Sequence, residues 1–143
     1  MYEFIYVKIN HNDTVYHNLS YMSSIYQEQI LDHYHNPRHY GILDHPTHQS
    51  DTKNISCGDA LHMDIIVKDG ILKDIGFYGN GCAISQASAS LLTEAVCGKS
   101  VAEAESLKAE DAVNLLGIEL SPNRLKCAIL SLETLHKALK NEL

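Results

Sequence analysis

The stretch CGDALHMDIIVKDGILKDIGFYGNGC, residues 57–82, predicts a β-hairpin around Lys68-Asp69-Gly70. Apolar residues alternate with more polar ones on both sides of this turn: Leu61, Met63, Ile65 and Val67 before it, and Ile71, Ile75 and Phe77 after it. For both sets to share one face, the paired residue numbers must add up to an even number. A three-residue loop with Gly70 in the left-handed conformation meets this condition, and it pairs Val67 with Ile71 and Leu61 with Phe77.

The predicted hairpin brings together two cysteines that are far apart in the chain. In the same register Cys57 lies opposite Gly81, one residue from Cys82. Glycines beside both cysteines let the backbone bend tightly and let a metal or a second protein approach. Asp59, two residues after Cys57, is placed to add a carboxylate oxygen to the same coordination sphere.

Start and stop signals predict five helices around the hairpin. The first begins at a capping box and ends before a proline, and the last begins at a serine–proline pair. In chain order the signals are Ser24 with Gln27 and a stop at Asn36-Pro37, Ile84–Val96 closed by Gly98, Ser100 with Glu103, Ala109–Leu116 closed by Gly117, and Ser121-Pro122. Residues 37–56 are rich in turn formers, with a short strand expected near 48–53.

Residues 1–23 differ from the rest of the chain. They are rich in Tyr, His and Asn and show no sustained helical periodicity. We therefore assign them to an N-terminal arm or extension, and we assign residues 24–143 to a single domain. A strand at Phe4–Ile9 and an alternative start at Met22 stay open.

The composition excludes several classes of protein. With 143 residues and 45% apolar content, the chain fits one globular domain. A net charge of −7 disfavours nucleic acid and anionic membranes as main partners, because both favour basic patches. No apolar run is long enough to span a membrane, and the first residues lack a secretory signal pattern. The four cysteines are therefore expected to stay reduced, in the cytoplasm, as ligands, nucleophiles or core residues.

Three cysteines have neighbours that suggest chemistry: Cys57, Cys82 and Cys127. With Asp59 they make a set of three thiolates and one carboxylate, which suits tetrahedral zinc and also an iron–sulfur cluster. A permanent electron-transfer cluster normally takes four cysteines, so the harder oxygen ligand should make a cluster easier to release. Cys127 falls in the first turns of the last helix, where the helix dipole favours a thiolate. The competing interpretation is a core role, since cysteine is often buried and no C-x-x-C pair is present.

Cys97 and the histidines receive plainer interpretations. Cys97 stands at the end of a predicted helix and is predicted to be a core or helix-end residue without a metal role. Five histidines fall in one polar stretch without an i, i+4 pair on a helix, so we expect solvated side chains: His33, His35, His39, His45 and His48. The sequence has no serine in a nucleophile elbow and no phosphate-binding glycine loop.

With these motifs in order, the chain resembles the U-type scaffold family of iron–sulfur cluster assembly, which includes IscU, the N-terminal domain of NifU, and SufU. The resemblance covers about residues 24–140. The matching segments are Tyr26–Arg38, Cys57-Gly-Asp59, Gly81–Ser90, Gly98-Lys99 and Arg124-Leu-Lys-Cys127. The resemblance implies an α+β fold in which helices cover one face of a small antiparallel β-sheet.

The resemblance also implies a function. Cys57, Asp59, Cys82 and Cys127 would gather at one exposed tip and bind zinc or a transient [2Fe–2S] cluster. Sulfur would arrive as a persulfide from a pyridoxal-phosphate cysteine desulfurase, and Cys127 would accept it by thiol exchange. The finished cluster would pass to downstream carrier or acceptor proteins, from a monomer or a weak dimer.

Details within the family leave the exact function open. Lys126 and the segment Gly81-Cys82-Ala-Ile-Ser85 are similar to SufU, whereas the insertion of SufU-type sulfurtransferases before Cys127 is absent. Leu120-Ser-Pro-Asn-Arg124 replaces the chaperone-recognition motif of IscU, so we expect no reliance on that chaperone. We expect a scaffold more than a turnover enzyme. The alternatives are a zinc-dependent sulfurtransferase and, more plainly, a structural zinc protein.

Overall fold

The computed structural model describes the backbone of residues 16–143 and the side chains of residues 24–143. Its elements are α1 (Tyr16–His35), β1 (His48–Asn54), β2 (Asp59–Lys68), β3 (Ile71–Asn80), α2 (Ala83–Val96), α3 (Val101–Ser106), α4 (Ala109–Leu116) and α5 (Pro122–Leu139). The strands form an antiparallel sheet in the order β1-β2-β3. The predicted hairpin and the predicted strand near 48–53 are both confirmed.

The hairpin turn is shorter than predicted. Asp69 and Gly70 have φ values of 55° and 74°, and they form a two-residue turn that pairs Lys68 with Ile71. Two left-handed residues in succession match the right-handed twist of the flanking strands. By itself this turn would place the two apolar sets on opposite faces, because the paired residue numbers now add up to an odd number.

A bulge in β3 restores the shared apolar face. The pairing skips Lys73, so that one extra residue enters β3 and Met63 pairs with Phe77. The predicted pairing of Leu61 with Phe77 is therefore wrong, and the true partner of Phe77 lies two residues further along. The prediction of one shared core face is confirmed for the set before the turn and for Ile75 and Phe77. It is wrong for Ile71, because Leu72 pairs with Val67 ahead of the bulge and is the buried residue there.

Helices α2 and α5 cover one face of the sheet. The core joins the inward side chains of β2 and β3 to those of both helices, among them Met63, Ile65, Phe77, Leu92 and Leu135. Burying a side chain of this size stabilises the fold by about 1.5–3 kcal/mol. A second cluster packs α1 and α4 against α2 and α5 through Ile30, Leu91, Leu116 and Ala128. The predicted α+β architecture is confirmed.

The predicted limits of the last four helices are also confirmed. Gly98 and Gly117 follow helices in the left-handed conformation, with φ values of 86° and 70°. The side chain of Ser100 accepts a hydrogen bond from the backbone N–H of Glu103, and that of Ser121 accepts one from the backbone N–H of Arg124.

The predicted start of the first helix is wrong. Helix α1 begins at Tyr16, so Ser24 lies inside it and does not cap it. The reason is that no glycine or proline interrupts the chain between Tyr16 and His35. The strand considered at Phe4–Ile9 lies outside the described residues, and the domain limit at residue 24 stays a prediction. Among the described helices, none has the length and apolar content needed to cross a membrane.

Candidate functional site

Cys57 lies on the turn between β1 and β2. Gly58 turns the chain with a φ of 74°, and its N–H donates to the carbonyl of Asn54 at 2.8 Å. Cys57 is exposed, whereas Asp59, the first residue of β2, is only 4% exposed. The turn therefore sets an accessible thiol beside a buried carboxylate.

Cys82 is the N-cap of α2 and is separated from the end of β3 by Gly81 alone. Its N–H donates to Asp59 Oδ1 at 3.2 Å, and its Sγ lies 3.8 Å from Asp59 Oδ2. A Cβ atom at Gly81 would collide with Ser85 Oγ and lie 3.1 Å from Asp59 Oδ1, so the site is shaped for glycine. The observed pairing, extended by one residue, puts Asp59 opposite Gly81, where Cys57 was predicted.

Cys127 lies in the second turn of α5 and is 3% exposed. Its Sγ is 3.5 Å from the Sγ of Cys57. The ligand atoms of Cys57, Asp59 and Cys127 all lie within 4.8 Å of one another, and Cys82 joins this group through Asp59. The structure therefore brings all four predicted residues together where β2, β3, α2 and α5 meet. We call this group the thiol tip.

The surroundings of the thiol tip act in opposite directions on its acid and its thiol. Burial disfavours the charge of Asp59, but hydrogen bonds with Cys57, Cys127 and the N–H of Cys82 outweigh it and lower the pKa of this carboxyl. Burial raises the pKa of the Cys127 thiol, and hydrogen bonds with Cys57 and Asp59 add to the effect. Burial therefore opposes the thiolate that the helix dipole is predicted to favour at Cys127.

The donor set of the thiol tip fits a metal ion. Three thiolates and a carboxylate carry up to four negative charges in a partly buried space, which is unfavourable unless a cation balances them. Sulfur and oxygen donors together suit zinc or iron. The N-terminal ends of α2 and α5 add partial positive charge that offsets the excess negative charge of the ligands.

Sequence reasoning missed two polar side chains at the start of α2. Ser85 is fully buried, and its single O–H is shared between two acceptors, the carbonyl of Cys82 at 3.1 Å and the carboxylate of Asp59. Gln86 has a buried Nε2 atom without a hydrogen-bond partner among the described residues. The available signal for Ser85 was its position three residues after an N-cap, where a hydroxyl often bonds to the backbone.

Sequence reasoning also missed a cavity beside the Cys57 turn. It measures about 410 Å³ and is lined in part by Lys53, Ile55 and Lys126. Ile55 is 96% exposed, and both lysines lie close in sequence to ligands of the thiol tip. The cavity therefore combines apolar surface with lysine side chains, and it lies next to the negatively charged ligands of the thiol tip.

The histidines do not share one environment. His33 is 4% exposed, and its Nδ1 lies 2.7 Å from Ser90 Oγ. Burial, together with the nearby charge of Arg38, lowers the pKa of this imidazole. The prediction of a solvated side chain is therefore wrong for His33, because α1 packs this residue against α2. His35 and His45 are exposed, as predicted.

Cys97 closes α2, as the sequence predicts. It is the C-cap residue and is half-buried. Burial raises the pKa of its thiol, and the charge of Asp74 adds to this effect. Cys97 and Cys82 therefore lie at opposite ends of one helix, and Cys97 takes no part in the thiol tip.

Fold and site together define a small α+β domain that carries three thiols and one carboxylate at one tip. The family model of the NifU-like N-terminal domain matches residues 25–142. The iron–sulfur cluster assembly scaffold protein IscU of Thermotoga maritima is 39% identical and spans 81% of this chain and 93% of that protein. SufU of Bacillus subtilis, a zinc-dependent sulfurtransferase, is 33% identical and spans 85% of this chain and 93% of its own length. IscU of Escherichia coli is 37% identical, and the match spans 80% of this chain and 91% of that protein.

Solved structures agree with these relatives. A protein of Fervidobacterium islandicum AW-1, assigned as a cluster assembly scaffold of the SUF system, superposes with a TM-score of 0.71 at 30% identity. That match covers 81% of this chain and 97% of the other. A NifU-like N-terminal structure from Brucella abortus, with a TM-score of 0.65 at 20% identity, shares the fold. The chain therefore belongs to the U-type iron–sulfur cluster assembly scaffold family, alongside IscU, SufU and the N-terminal domain of NifU.

Proposed function

We propose that this protein assembles a nascent [2Fe–2S] cluster on Cys57, Asp59, Cys82 and Cys127 and passes it to downstream carrier or acceptor proteins. The observation that carries the proposal is the convergence of three thiols and one carboxylate, with 3.5 Å between the closest sulfurs. The scaffold names of the IscU relatives support the same function. Iron and sulfide are then the cargo of the protein. All four cysteines are free thiols, which favours a reducing cytoplasm, where the protein would act as a monomer or weak dimer.

Sulfur is expected to come from the persulfide of a cysteine desulfurase. Because the pKa of the Cys127 thiol is raised, this thiol must first lose its proton to water or to a base of the partner protein. The resulting thiolate attacks the outer sulfur of that persulfide and forms a new bond to it. The sulfur–sulfur bond of the desulfurase breaks, and its cysteine leaves as a thiolate, so that the transfer itself has no net redox change. Reducing each transferred sulfur to sulfide then takes two electrons from an external thiol or iron–sulfur electron carrier.

Access to Cys127 depends on the Cys57 turn. Cys127 is 3% exposed, and the exposed Cys57 lies 3.5 Å away from it. A donor sulfur can therefore reach Cys127 when the turn carrying Cys57 moves outward. The positive φ of Gly58 gives this turn a residue that tolerates large changes in backbone angle.

Asp59 is expected to control release of the cluster. Its lowered pKa keeps the carboxylate charged and able to bind iron at neutral pH. A carboxylate oxygen is a harder ligand than a thiolate and holds iron of a sulfur-rich cluster less firmly. A cluster with one such ligand should leave the protein more readily than one held by four cysteines.

A zinc-dependent sulfurtransferase is the second candidate function. It is favoured by the 33% identity to SufU, a protein named for that activity, and by Lys126 beside Cys127. The compact group of Cys57, Asp59 and Cys127 also suits a single ion. Zinc, when bound by the thiol tip, would hold the thiols as thiolates near neutral pH.

The two candidates differ in what the purified protein contains. Iron, zinc and acid-labile sulfide should be measured in protein purified without oxygen from its own host. Iron and sulfide in near-equal amounts are expected for the scaffold, and Cys57→Ser should lose both together. One zinc per chain that is lost in Cys57→Ser, with no sulfide in the wild-type protein, would overturn the scaffold proposal and establish the sulfurtransferase as the better candidate.

A further inference from the structure

A second group of possible metal ligands lies away from the thiol tip. The imidazole of His39, the carboxylate of Asp74 and the Sγ of Cys97 offer ligand atoms that all lie within 4.8 Å of one another. We propose that these three residues form a second metal site that binds one divalent ion of the zinc type. This site goes beyond the function proposed for the thiol tip and does not depend on it. We call it the helix-end site.

Backbone hydrogen bonds hold His39 in place. The N–H of Phe77 donates to the carbonyl of His39 at 3.0 Å, and the N–H of Gly41 donates to the carbonyl of Phe77 at 2.7 Å. His39 has a φ of 59°, a left-handed conformation that costs a non-glycine residue on the order of 1 kcal/mol. Strain of this kind persists where the surroundings fix it, and it clusters at ligand sites.

The bulge in β3 places Asp74. The pairing skips Lys73, and Asp74 follows it opposite Ile66. Bulges redirect side chains and are common beside binding sites. The Oδ1 atom of Asp74 accepts the N–H of Ile75 at 2.8 Å, which orients the carboxylate, and a carboxylate has a second oxygen that can bind an ion.

The end of α2 is fixed to the sheet where it presents Cys97. The N–H of Cys97 donates to the carbonyl of Thr93 at 3.1 Å, and the N–H of Gly98 donates to the carbonyl of Leu72 in β3 at 2.8 Å. The C-terminal end of a helix carries partial negative charge, which stabilises a nearby cation. Three fixed segments therefore converge where the local field favours a positive ion.

The ligand set points to zinc rather than to magnesium or calcium. One thiolate, one imidazole and one carboxylate are ligands that zinc accepts, and three protein ligands leave a fourth tetrahedral position for water. Magnesium and calcium prefer oxygen ligands throughout. Around tetrahedral zinc the ligand atoms lie roughly 3.5 Å apart, so the present group needs side-chain movements on the order of 1 Å.

The two sites cannot share one ion. Cys82 and Cys97 flank α2, whose 14 residues span about 21 Å. Metal bound at the helix-end site is therefore counted in addition to metal bound at the thiol tip. The stoichiometry of binding distinguishes the two sites directly.

Cobalt(II) is the probe for the test, because a thiolate bound to it gives a charge-transfer absorption band. The full chain is stripped of metal, kept reduced and without oxygen, and titrated with Co²⁺ while binding is followed by equilibrium dialysis and absorption. We expect two bound Co²⁺ ions per chain. In Cys97→Ala and His39→Ala we expect one, with the absorption of the thiol tip retained. Asp74→Asn, which keeps the side-chain shape, should weaken the second ion by more than about tenfold.

His45→Ala is the matched control. His45 is an exposed histidine that also has a positive φ, 55°, and it does not belong to the helix-end group. We expect this variant to bind two ions with unchanged affinity, and circular dichroism should show every variant folded. A wild-type chain that binds a single ion would overturn the proposal. Cys97→Ala that still binds two ions would overturn it as well, and so would an Asp74→Asn chain of unchanged affinity.

Discussion

Each end of α2 carries a cysteine thiol, but the side chains around the two thiols differ. Cys82 precedes the helix and meets Asp59, Cys57 and Cys127, whereas Cys97 follows the helix and meets His39 and Asp74. A glycine stands beside each of the two cysteines, so this neighbour does not distinguish them. The open end of the hairpin supplies partners at the first site, and the bulged strand near its turn supplies a partner at the second. The difference teaches that the partners brought by the sheet, more than the sequence next to a cysteine, decide its chemistry.

The largest expected effect tests whether the two ends bind metal independently. Cys127→Ser removes a thiolate from the thiol tip with little change in volume. Because loss of supporting interactions alone lowers metal affinity by up to about 100-fold, loss of a ligand should lower it by at least that factor. Competition with a chromogenic zinc chelator measures the affinity. Cys97→Ser is the control, and the comparison fails if it weakens zinc at the thiol tip as much as Cys127→Ser does.

The next effect compares the glycines at the two ends of α2. Alanine at Gly81 would collide with Ser85 Oγ and crowd Asp59, so we expect a loss of about 2 kcal/mol in the free energy of unfolding. Alanine at Gly98 meets nothing within 4 Å, but its φ of 86° should cost about 1 kcal/mol. Urea unfolding of the metal-free chain measures both. Equal losses would mean that Gly81 is not held close to Asp59.

A smaller effect concerns the one oxygen ligand at the thiol tip. Asp59→Ala removes the harder ligand, and we expect a bound iron–sulfur cluster to persist severalfold longer, by about 1 kcal/mol in the barrier to its loss. The decay of cluster absorption without oxygen measures this lifetime, with Asp74→Ala as the matched carboxylate control. An Asp59→Ala cluster that decays at the wild-type rate would count against a role of Asp59 in release.

The smallest expected effect is a pH dependence of the free energy of unfolding that comes from His62, a residue of β2 outside both ends of α2. Burial disfavours the charge of His62, but hydrogen bonds with Asp51 and Asp64, at 2.8 and 2.7 Å, outweigh it and raise the pKa of this imidazole. The folded pKa of His62 lies above the unfolded value. Its bonds to the two carboxylates therefore contribute their whole share of the free energy of unfolding below about pH 6.5, and this contribution is lost as the pH rises through the folded pKa. We expect a change of about 1 kcal/mol or less.

Urea unfolding of the metal-free chain at several pH values measures this loss. His62→Gln should flatten the pH dependence above about pH 6.5. His35→Gln is the control, because His35 is exposed and should leave the dependence unchanged. A wild-type chain whose stability rises through this range would contradict the assignment of His62.

Local signals made most of the fold predictable. The capping serines of α3 and α5 and the glycines that follow α2 and α4 act within one turn, so the sequence contains both the signal and its effect. The shared apolar face of the hairpin was also predictable, because the side-chain period of a strand is two. The exact register was not, since a two-residue turn with a bulge at Lys73 satisfies the same alternation as a three-residue turn.

The candidate sites were predictable only as far as local structure decides them. The hairpin prediction brought Cys57 near Cys82, but the raised pKa of Cys127 depends on tertiary burial that no local pattern reveals. The helix-end site was harder still. It joins an irregular loop at His39, a bulged strand at Asp74 and a helix end at Cys97, and no sequence period links the three.

The bulge at Lys73 also sets a rule for insertions and deletions in this hairpin. With the two-residue turn at Asp69-Gly70, the numbers of paired residues add up to an odd number, and the extra residue in the bulge makes this sum even. Only the combination of turn and bulge therefore keeps Phe77 facing the core. Deleting Lys73 alone would turn every later side chain of β3 to the other face. Where relatives that share this fold differ in hairpin length, the difference should therefore be an even number of residues. An insertion or deletion of one residue at the turn should be accompanied by another at the bulge.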